Sequence, residues 1–175
     1  MNKFKEAIKA NNEKADTNEF VSAIITNKKG EILILTRKDT LKLDPGKYDF
    51  CSGHIKSEET PTQAMFREMK EEIGIGMDDI LSYENLGTIQ TPHRLFTNTK
   101  SHIYHIVIDI SLDEINTKIK QVSEPEMEFA QFLNSEETRN MLRNTDLFRT
   151  EFTDELECKL LEAESMNCNK EILER

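Results

Sequence analysis

The chain has 175 residues, of which 32% are charged and 37% hydrophobic, and its net charge at pH 7 is −10. This length suits a single domain with a buried core, and the acidic balance disfavours a general nucleic-acid-binding protein, whose contact face is basic. The first 18 residues lack the apolar stretch of a secretory signal, no run has the length of a membrane-spanning helix, and three cysteines without metal-ligand spacing are typical of reduced thiols. We therefore expect a cytoplasmic protein with no membrane partner.

The first third of the chain predicts an arm followed by a hairpin. Residues 1–18 are charged, with a few apolar positions, and are predicted to form a short helix or arm. Residues 20–26 and 31–36 are strand-like, and the Asn-Lys-Lys-Gly sequence at 27–30 is typical of the turn between two paired strands. A further extended segment over 48–52 leads directly into the most informative part of the sequence.

That part contains a helix predicted over residues 61–73. Thr60 is suited to cap its start, proline occupies the first helical position, and Gln63 is placed to complete a capping box. Apolar residues recur at helical spacing, at Ala64, Met65, Met69 and Ile73. Gly74 is suited to the left-handed conformation that ends a helix.

Three glutamates of this helix, Glu68, Glu71 and Glu72, are separated by three and four residues. A helix therefore stacks their carboxylates on one face. Concentrating three negative charges costs energy unless a cation neutralises them, and Mg²⁺ is the natural candidate because it prefers carboxylate oxygens. The alternative is an ordinary solvated face on which Arg67 or Lys70 forms helix ion pairs.

The stretch from residue 53 to residue 75 resembles the box that defines the Nudix family. The family pattern is Gly, five residues, Glu, seven residues, Arg-Glu, an aliphatic residue, any residue, Glu-Glu, any residue, Gly and an aliphatic residue. Every spacing is kept here, at Gly53, Glu59, Arg67, Glu68, Met69, Glu71, Glu72, Gly74 and Ile75. Flanking strand patterns extend the resemblance to residues 19–133. It implies an α/β fold, an α/β/α sandwich around a mixed β-sheet, with extra C-terminal helices in this chain.

The resemblance also implies a hydrolase of nucleoside diphosphates linked to another group, dependent on Mg²⁺ or Mn²⁺. Glu68 and Glu72 match the main metal ligands of the family, and the carbonyl of Gly53 matches a backbone ligand. Glu71 matches a residue that is a third ligand or the base that activates water. A bound metal suits this chemistry because it neutralises a diphosphate and lowers the pKa of a bound water.

The resemblance assigns supporting roles to two further residues of the box. Arg67 matches an arginine that orients the glutamates, so it joins them in the implied catalytic set, and Glu59 matches the partner of that arginine. The implied partner is a small nucleotide or another diphosphate. Many small domains of the family dimerise, which makes a homodimer a candidate assembly.

The rest of the chain predicts a single domain of residues 1–175. Three strands are predicted after the box, over 83–90, 101–111 and 124–132. Asn134 or Ser135 is suited to cap one C-terminal helix and Thr153 another. With no linker in between, residues 19–133 form the expected core and 134–175 the C-terminal helices.

Five residues outside the glutamate cluster are candidates for contacts with the substrate or a second metal: His54, Arg37, Arg94, Glu126 and Glu128. The histidine is adjacent to the box glycine, and the arginine fork suits phosphate. The two glutamates alternate with Glu124, so an extended segment directs all three to one side. An ordinary surface role is the alternative for each. Aromatic residues that are candidates for stacking on a base are Phe50, Tyr83, Phe96 and Tyr104.

Two other functions stay open at this point. The approach to the box resembles that of isopentenyl-diphosphate isomerases, but Ser52 occupies the place of their catalytic cysteine. Cys51 is one residue away, which on a strand turns it to the other face. The second alternative is a catalytically idle domain that senses a nucleotide, and the intact glutamates Glu68, Glu71 and Glu72 argue against it.

Overall fold

The computed structural model describes residues 19–90, 99–144, 146–149 and 153–173, with side chains as far as Asn167. The predicted arm over residues 1–18 lies outside the described residues, as do Arg94 and Phe96. Within the described ranges, no helix is both long enough and apolar enough to span a membrane.

The described strands form one mixed sheet. They are β1 Glu19–Thr26, β2 Ile32–Arg37, β3 Tyr48–Asp49, β4 Cys51–His54, β5 Ile80–Gln90, β6 Lys100–Ile108 and β7 Met127–Leu133. The order along the main path is β3-β2-β1-β6-β5, while β4 pairs with β1 and β7 pairs with β2. Strands β1 and β6 are parallel and the other pairs are antiparallel, so the mixed sheet is confirmed.

Helices cover both faces of this sheet. They are α1 Pro61–Ile73, α2 Leu112–Gln121, α3 Ser135–Leu142 and α4 Asp154–Leu173. Buried residues of α1 and α2 pack with Val21 and Ala23 of β1, whereas buried residues of α3 and α4 pack with Ile24 of the same strand. Successive strand residues alternate between the faces, and a strand covered on both faces is apolar throughout. The α/β/α sandwich is therefore confirmed.

Helix α1 has the predicted bounds and caps. The Thr60 hydroxyl accepts a hydrogen bond from the Gln63 amide at 3.3 Å, and the Gln63 side chain accepts one from the Thr60 amide at 2.8 Å. Gly74 has φ 69°. A β-carbon there would lie 3.0 Å from the Lys118 β-carbon and 3.2 Å from its carbonyl oxygen, so glycine also allows α2 to approach α1 closely.

The segment after β6 corrects the sequence prediction. A strand was expected as far as residue 111, but β6 ends at Ile108. Ser111 instead caps α2, which the sequence analysis did not predict, and accepts a hydrogen bond from the Glu114 amide at 3.2 Å. Ile115 and Ile119, one helical turn apart, are buried against the sheet. The β-branched residues before Ser111 favour a strand in the sequence, so the prediction continued the strand to residue 111. In the structure, packing against the sheet favours the helix instead.

A short final strand was predicted within residues 124–132, and β7 Met127–Leu133 confirms it. Strand β7 begins at Met127, so Glu124 and Glu126 lie in the loop between α2 and β7 rather than on the strand. Only Glu128 of the three alternating acids belongs to the sheet. The expectation that all three share one side of an extended segment is therefore wrong, because the chain leaves α2 through this loop before it pairs with β2.

Candidate active site

A cavity of ≈ 960 Å³ opens where β4, the acidic face of α1, the end of α2 and the loop after α2 meet. Its acidic lining residues are Glu68, Glu71, Glu72, Glu124 and Glu126, and its basic ones are Lys56, Arg67, Lys70, Lys118 and Arg149. Ser52, Gly53 and His54 of β4 complete the wall nearest to α1. The three helix glutamates of the box therefore face one open, highly charged cleft.

Gly53 allows the Glu68 carboxylate to approach β4 closely. A β-carbon built on Gly53 would overlap the carboxylate group of Glu68. Any other residue would displace either the glutamate or the strand, since carbon and oxygen atoms cannot occupy the same space. The glycine of the box is thus explained by a close approach rather than by a turn.

Arg67 connects the box residues to one another. Its Nε donates to Glu59 Oε2 at 2.9 Å, and its Nη2 donates to Glu59 Oε1 at 2.5 Å and to the His54 carbonyl at 2.8 Å. Its Nη1 donates to Glu68 Oε1 at 2.5 Å and to Glu71 Oε2 at 2.9 Å. The hydrogen bond from Arg67 holds the pKa of Glu59 below its usual value. The guanidinium therefore fixes two of the three helix carboxylates.

Glu72 occupies a different environment. Its Oε2 accepts a hydrogen bond from the Ser52 amide at 3.0 Å, and the thiol of Cys51 also hydrogen-bonds to it. Burial, reinforced by the negative charge of Asp49, raises the pKa of Glu72 to about 8. Burial also raises the pKa of Glu68, against the opposing effect of Arg67. Both carboxyl groups thus ionise with difficulty until a cation compensates their charge.

The donor chemistry fits a hard divalent cation. Glu68, Glu71 and Glu72 supply carboxylate oxygens to one cavity, and such oxygens are the ligands that Mg²⁺ prefers. In the described part of the chain, no three acidic, histidine or cysteine side chains are already grouped around a common metal position. Glu68 and Glu71 hydrogen-bond to Arg67 in this arrangement.

Two of the additional candidates line the cavity, and one of them is His54. The ring of His54 packs against that of Phe20, with 4.0 Å between their centroids. Its pKa is lowered by burial and, to a smaller extent, by the positive charge of Arg149. The other is Glu126, whose side chain is exposed.

The remaining candidates lie elsewhere. Arg37 is buried at the end of β2, where its Nη2 contacts Glu126 Oε2 at 3.2 Å, and it lies outside the described lining of the cavity. Glu128 is exposed on β7 and also lies outside that lining. Arg94 falls outside the described residues, so its predicted contact stays a prediction.

The aromatic candidates for base stacking are also dispersed. Phe50 and Tyr104 are buried in the two cores on opposite faces of the sheet. Tyr83 is exposed and forms an edge-to-face contact with Phe66, with ring centroids 5.0 Å apart. Phe96 lies outside the described residues. As far as the described lining extends, the cavity is charged and polar, without a phenylalanine, tyrosine or tryptophan ring.

The sequence analysis missed Arg149. It follows Phe148, which is bridged to Tyr48 of β3, and its Nη1 lies 3.0 Å from Asp49 Oδ2. Lys118 at the end of α2 was missed as well. Neither residue has a spacing signal in the sequence, because each reaches the cavity only through the packing of distant segments.

The family model of the NUDIX domain matches residues 17–156. The chain is similar to an RNA pyrophosphohydrolase from Marinomonas sp. (strain MWYL1), with 40% identity over 55 residues that cover 31% of each protein. The aligned part thus spans about a third of that relative's length.

Two solved structures are similar in fold. One is a mutT/nudix family protein from Listeria innocua, with a TM-score of 0.57 and 16% identity, covering 89% of this chain and 96% of that chain. The other is the dihydroneopterin triphosphate pyrophosphohydrolase of E. coli, with a TM-score of 0.53 and 16% identity, covering 71% and 85%. At these identities the likeness concerns the fold.

Proposed function

The chain belongs to the Nudix family, and from this premise we propose that it hydrolyses a diphosphate bond in a nucleoside diphosphate linked to another group, using Mg²⁺ or Mn²⁺. The observation that carries the proposal is the convergence of Glu68, Glu71 and Glu72 in one cavity beside Gly53. A solvated helix face does not require a partly buried carboxyl group whose pKa is raised by desolvation to about 8, as that of Glu72 is.

The box residues have two roles in this proposal, which are to bind the cation and to orient its ligands. Glu68, Glu72 and the carbonyl of Gly53 would hold the cation, which when bound supplies charge neutralisation for the diphosphate and a more acidic water. Arg67 holds Glu68 and Glu71 in position through the hydrogen bonds of its Nη1. Since phosphoryl transfer depends mainly on positioning and charge compensation, this orientation is itself a large part of catalysis.

Glu71 is the candidate base. Its side chain is 53% exposed and lines the cavity, so a water has access to it. The carboxylate would take a proton from the attacking water while a new phosphorus–oxygen bond forms and the bridging phosphorus–oxygen bond breaks. The departing phosphate carries away the bridging oxygen. Arg67 Nη1, 2.9 Å from Glu71 Oε2, would keep the base in place.

A panel of diphosphates tests the proposal. Nucleoside triphosphates, nucleotide sugars, ADP-ribose, dinucleoside polyphosphates and RNA with a 5′-triphosphate would be incubated with Mg²⁺, with Mn²⁺ and with a chelator. The RNA is included because of the name of the Marinomonas relative. We expect metal-dependent hydrolysis of at least one compound, reduced about a hundredfold or more in Glu71→Gln and Glu72→Gln. Glu58→Gln, at an exposed position two residues from the cavity residue Lys56, is the matched control and should keep full activity.

The same panel separates the alternatives. Tight binding of a nucleotide without hydrolysis of any compound would favour the idle sensor over the enzyme. The isomerase finds little support, because Cys51 is 1% exposed in the core and Ser52 is the residue that lines the cavity. An allylic diphosphate is added to the panel to test the isomerase, and isomerisation of this compound would overturn the hydrolase.

Three further properties complete the proposal. The acidic net charge of −10 supports a small nucleotide or other diphosphate as the partner, without a nucleic-acid-binding surface. Reduced thiols at Cys51 and Cys158 support a cytoplasmic location. A homodimer is proposed on the family resemblance, and size-exclusion chromatography with light scattering would distinguish it from the 20.3 kDa monomer.

A further inference from the structure

Arg149 lies at the wall of the cavity and takes no part in the chemistry described above. We propose that its guanidinium binds non-bridging oxygens of the substrate's diphosphate, and that Asp49 holds it in position for this contact. The inference rests on the proposed function because it names a substrate-binding residue of the same site. That residue lies in the C-terminal part of the chain rather than in the box.

The backbone around Arg149 is anchored to the sheet. The Arg149 amide donates to the Tyr48 carbonyl at 2.9 Å, and the Tyr48 amide donates to the Leu147 carbonyl at 2.8 Å. Phe148 between them is 1% exposed and packs on Phe50, with ring centroids 5.2 Å apart. The residue therefore projects from an ordered edge of the fold, which limits the entropy lost when it binds a ligand.

The side chain is held by a buried acid. Arg149 Nη1 lies 3.0 Å from Asp49 Oδ2, and its Nε lies 3.8 Å from Asp44 Oδ2. Asp49 is fully buried, and Arg37 Nη1 lies 4.0 Å from the same oxygen. Arg37 also contacts Glu126 at 3.2 Å, and Asp44 also pairs with Lys47 at 3.6 Å, so acids and bases balance in this cluster. Arg149 is its arginine that reaches the cavity, with a side chain that is 27% exposed.

Three other cations of the cavity, Arg67, Lys118 and Lys56, are engaged with acids, and Lys70 is an exposed residue of α1. Arg67 directs all three of its nitrogens at box carboxylates or the His54 carbonyl. Lys118 Nζ lies 3.2 Å from Asp79, and Lys56 Nζ lies 3.8 Å from Glu71. The contacts recorded for Arg149 use Nη1 and Nε, and a guanidinium offers five N–H donors in a fork that matches phosphate.

The position of Arg149 relative to Glu72 supports the same conclusion. Both line the cavity, and each is close enough to act electrostatically on the other. A diphosphate bound through cations at Glu72 would bring its oxygens next to this guanidinium. Opposite charges would then alternate from the Glu72 carboxylate to cation to phosphate to Arg149.

Binding of methylenediphosphonate, a diphosphate analogue with a carbon bridge that water cannot cleave, tests the inference without catalysis. Isothermal titration calorimetry with the full chain and saturating Mg²⁺ would compare wild type, Arg149→Gln, Arg149→Lys and the control Arg143→Gln. Arg143 is an exposed arginine paired with Glu157 at 3.1 Å and lies outside the described lining of the cavity. We expect affinity to fall about tenfold or more in Arg149→Gln and less in Arg149→Lys, which keeps the charge but loses the fork.

Thermal unfolding of each variant identifies any that do not fold. If Arg149→Gln is unfolded, Arg149→Lys decides, because its charge still compensates Asp49. Affinities within twofold of wild type in the folded Arg149 variants, or no binding by wild type, would overturn the inference. If wild type binds the analogue through Arg149 but hydrolyses nothing on the diphosphate panel, the inference stands and the proposed hydrolase fails.

Discussion

Arg67 and Glu59 form a bidentate ion pair, with Nε to Oε2 at 2.9 Å and Nη2 to Oε1 at 2.5 Å. Glu59 lies in the loop before α1. The backbone amide of Lys56, three residues earlier, donates a hydrogen bond to Glu59 Oε1 at 2.7 Å. The loop therefore fixes the acid, the acid fixes the arginine, and the arginine fixes Glu68 and Glu71. The orientation of the Glu68 and Glu71 carboxylates thus depends on Glu59, which does not itself contact either of them.

Glu59→Gln tests this relationship. The amide keeps the shape of the side chain but removes one acceptor oxygen and the charge, so Arg67 is held less firmly. We expect kcat/KM for the substrate found on the panel to fall about tenfold to a hundredfold. Steady-state kinetics at several Mg²⁺ concentrations measures it, and Glu58→Gln should be indistinguishable from wild type. Unchanged kinetics in Glu59→Gln would contradict the positioning role.

Gly53→Ala tests the close approach of Glu68 to β4. The new methyl group overlaps the carboxylate, so we expect weaker Mg²⁺ binding by about tenfold and a loss of about 1–3 kcal/mol in the free energy of unfolding. Calorimetric titration with Mg²⁺ and urea unfolding give the two quantities.

Gly76→Ala is the matched control for that substitution. Gly76 has φ −108°, and a β-carbon there meets nothing within 4 Å. We expect both quantities to stay at their wild-type values. Equal Mg²⁺ affinity in Gly53→Ala and Gly76→Ala would show that Glu68 does not need the space above Gly53.

The stability of the metal-free protein should depend on pH through Glu72. Its pKa is about 8 in the folded state against an ordinary value of 4.5, so folding favours the protonated carboxyl. This contribution is fully present below pH 4.5 and is lost as pH rises through about 8. Glu72→Gln removes it, so the variant should gain Tm relative to wild type as pH rises from 5 to 8 in the presence of a chelator.

Saturating Mg²⁺ should reverse that order. Wild type gains stability by binding the cation, whereas Glu72→Gln lacks a ligand and should respond weakly. Thermal unfolding at pH 5 and pH 8, with chelator and with Mg²⁺, gives four Tm values for each of the two proteins. A constant Tm difference between the two proteins across pH without metal would refute the buried, protonated state of Glu72.

Thr60→Ala tests the start of α1. The substitution removes the hydroxyl that accepts the Gln63 amide at 3.3 Å, and we expect a loss of about 1 kcal/mol. For a chain of this size the Tm should fall by about 2–4 °C. Ser57→Ala, at an exposed position in the same loop, should leave the Tm unchanged. A Tm equal to wild type in Thr60→Ala would mean that water replaces the cap at no cost.

Local chemistry explains why so much of the box was predictable. Thr60, Gln63 and Gly74 specify the ends of α1 through their own side chains and backbone preferences, and the structure confirms residues 61–73 as the helix. The i, i+3 and i+4 spacing of the acids then places them on one face, which lines the cavity. These outcomes depend on contacts between residues only a few positions apart.

The errors arise where neighbours in sequence are misleading. Ile108 and Ile110 resemble a continuing strand, yet Ser111 begins α2 because Ile115 and Ile119 find a core to cover. Glu124 and Glu126 lie outside the strand because their segment connects the end of α2 to the start of β7. Burial against the sheet decided both cases.

The sequence alone determined the family and the acidic helix with its caps, because each is encoded by residue types at fixed short spacings. Only the tertiary structure brought Arg149 beside Asp49, 100 residues away in the chain, and closed the cavity with the end of α2. Sheet order and packing determine such contacts, so the spacing of residues along the chain does not predict them. The pairing of Arg149 with Asp49 therefore depends on the fold as a whole, whereas the three stacked glutamates belong to one helix.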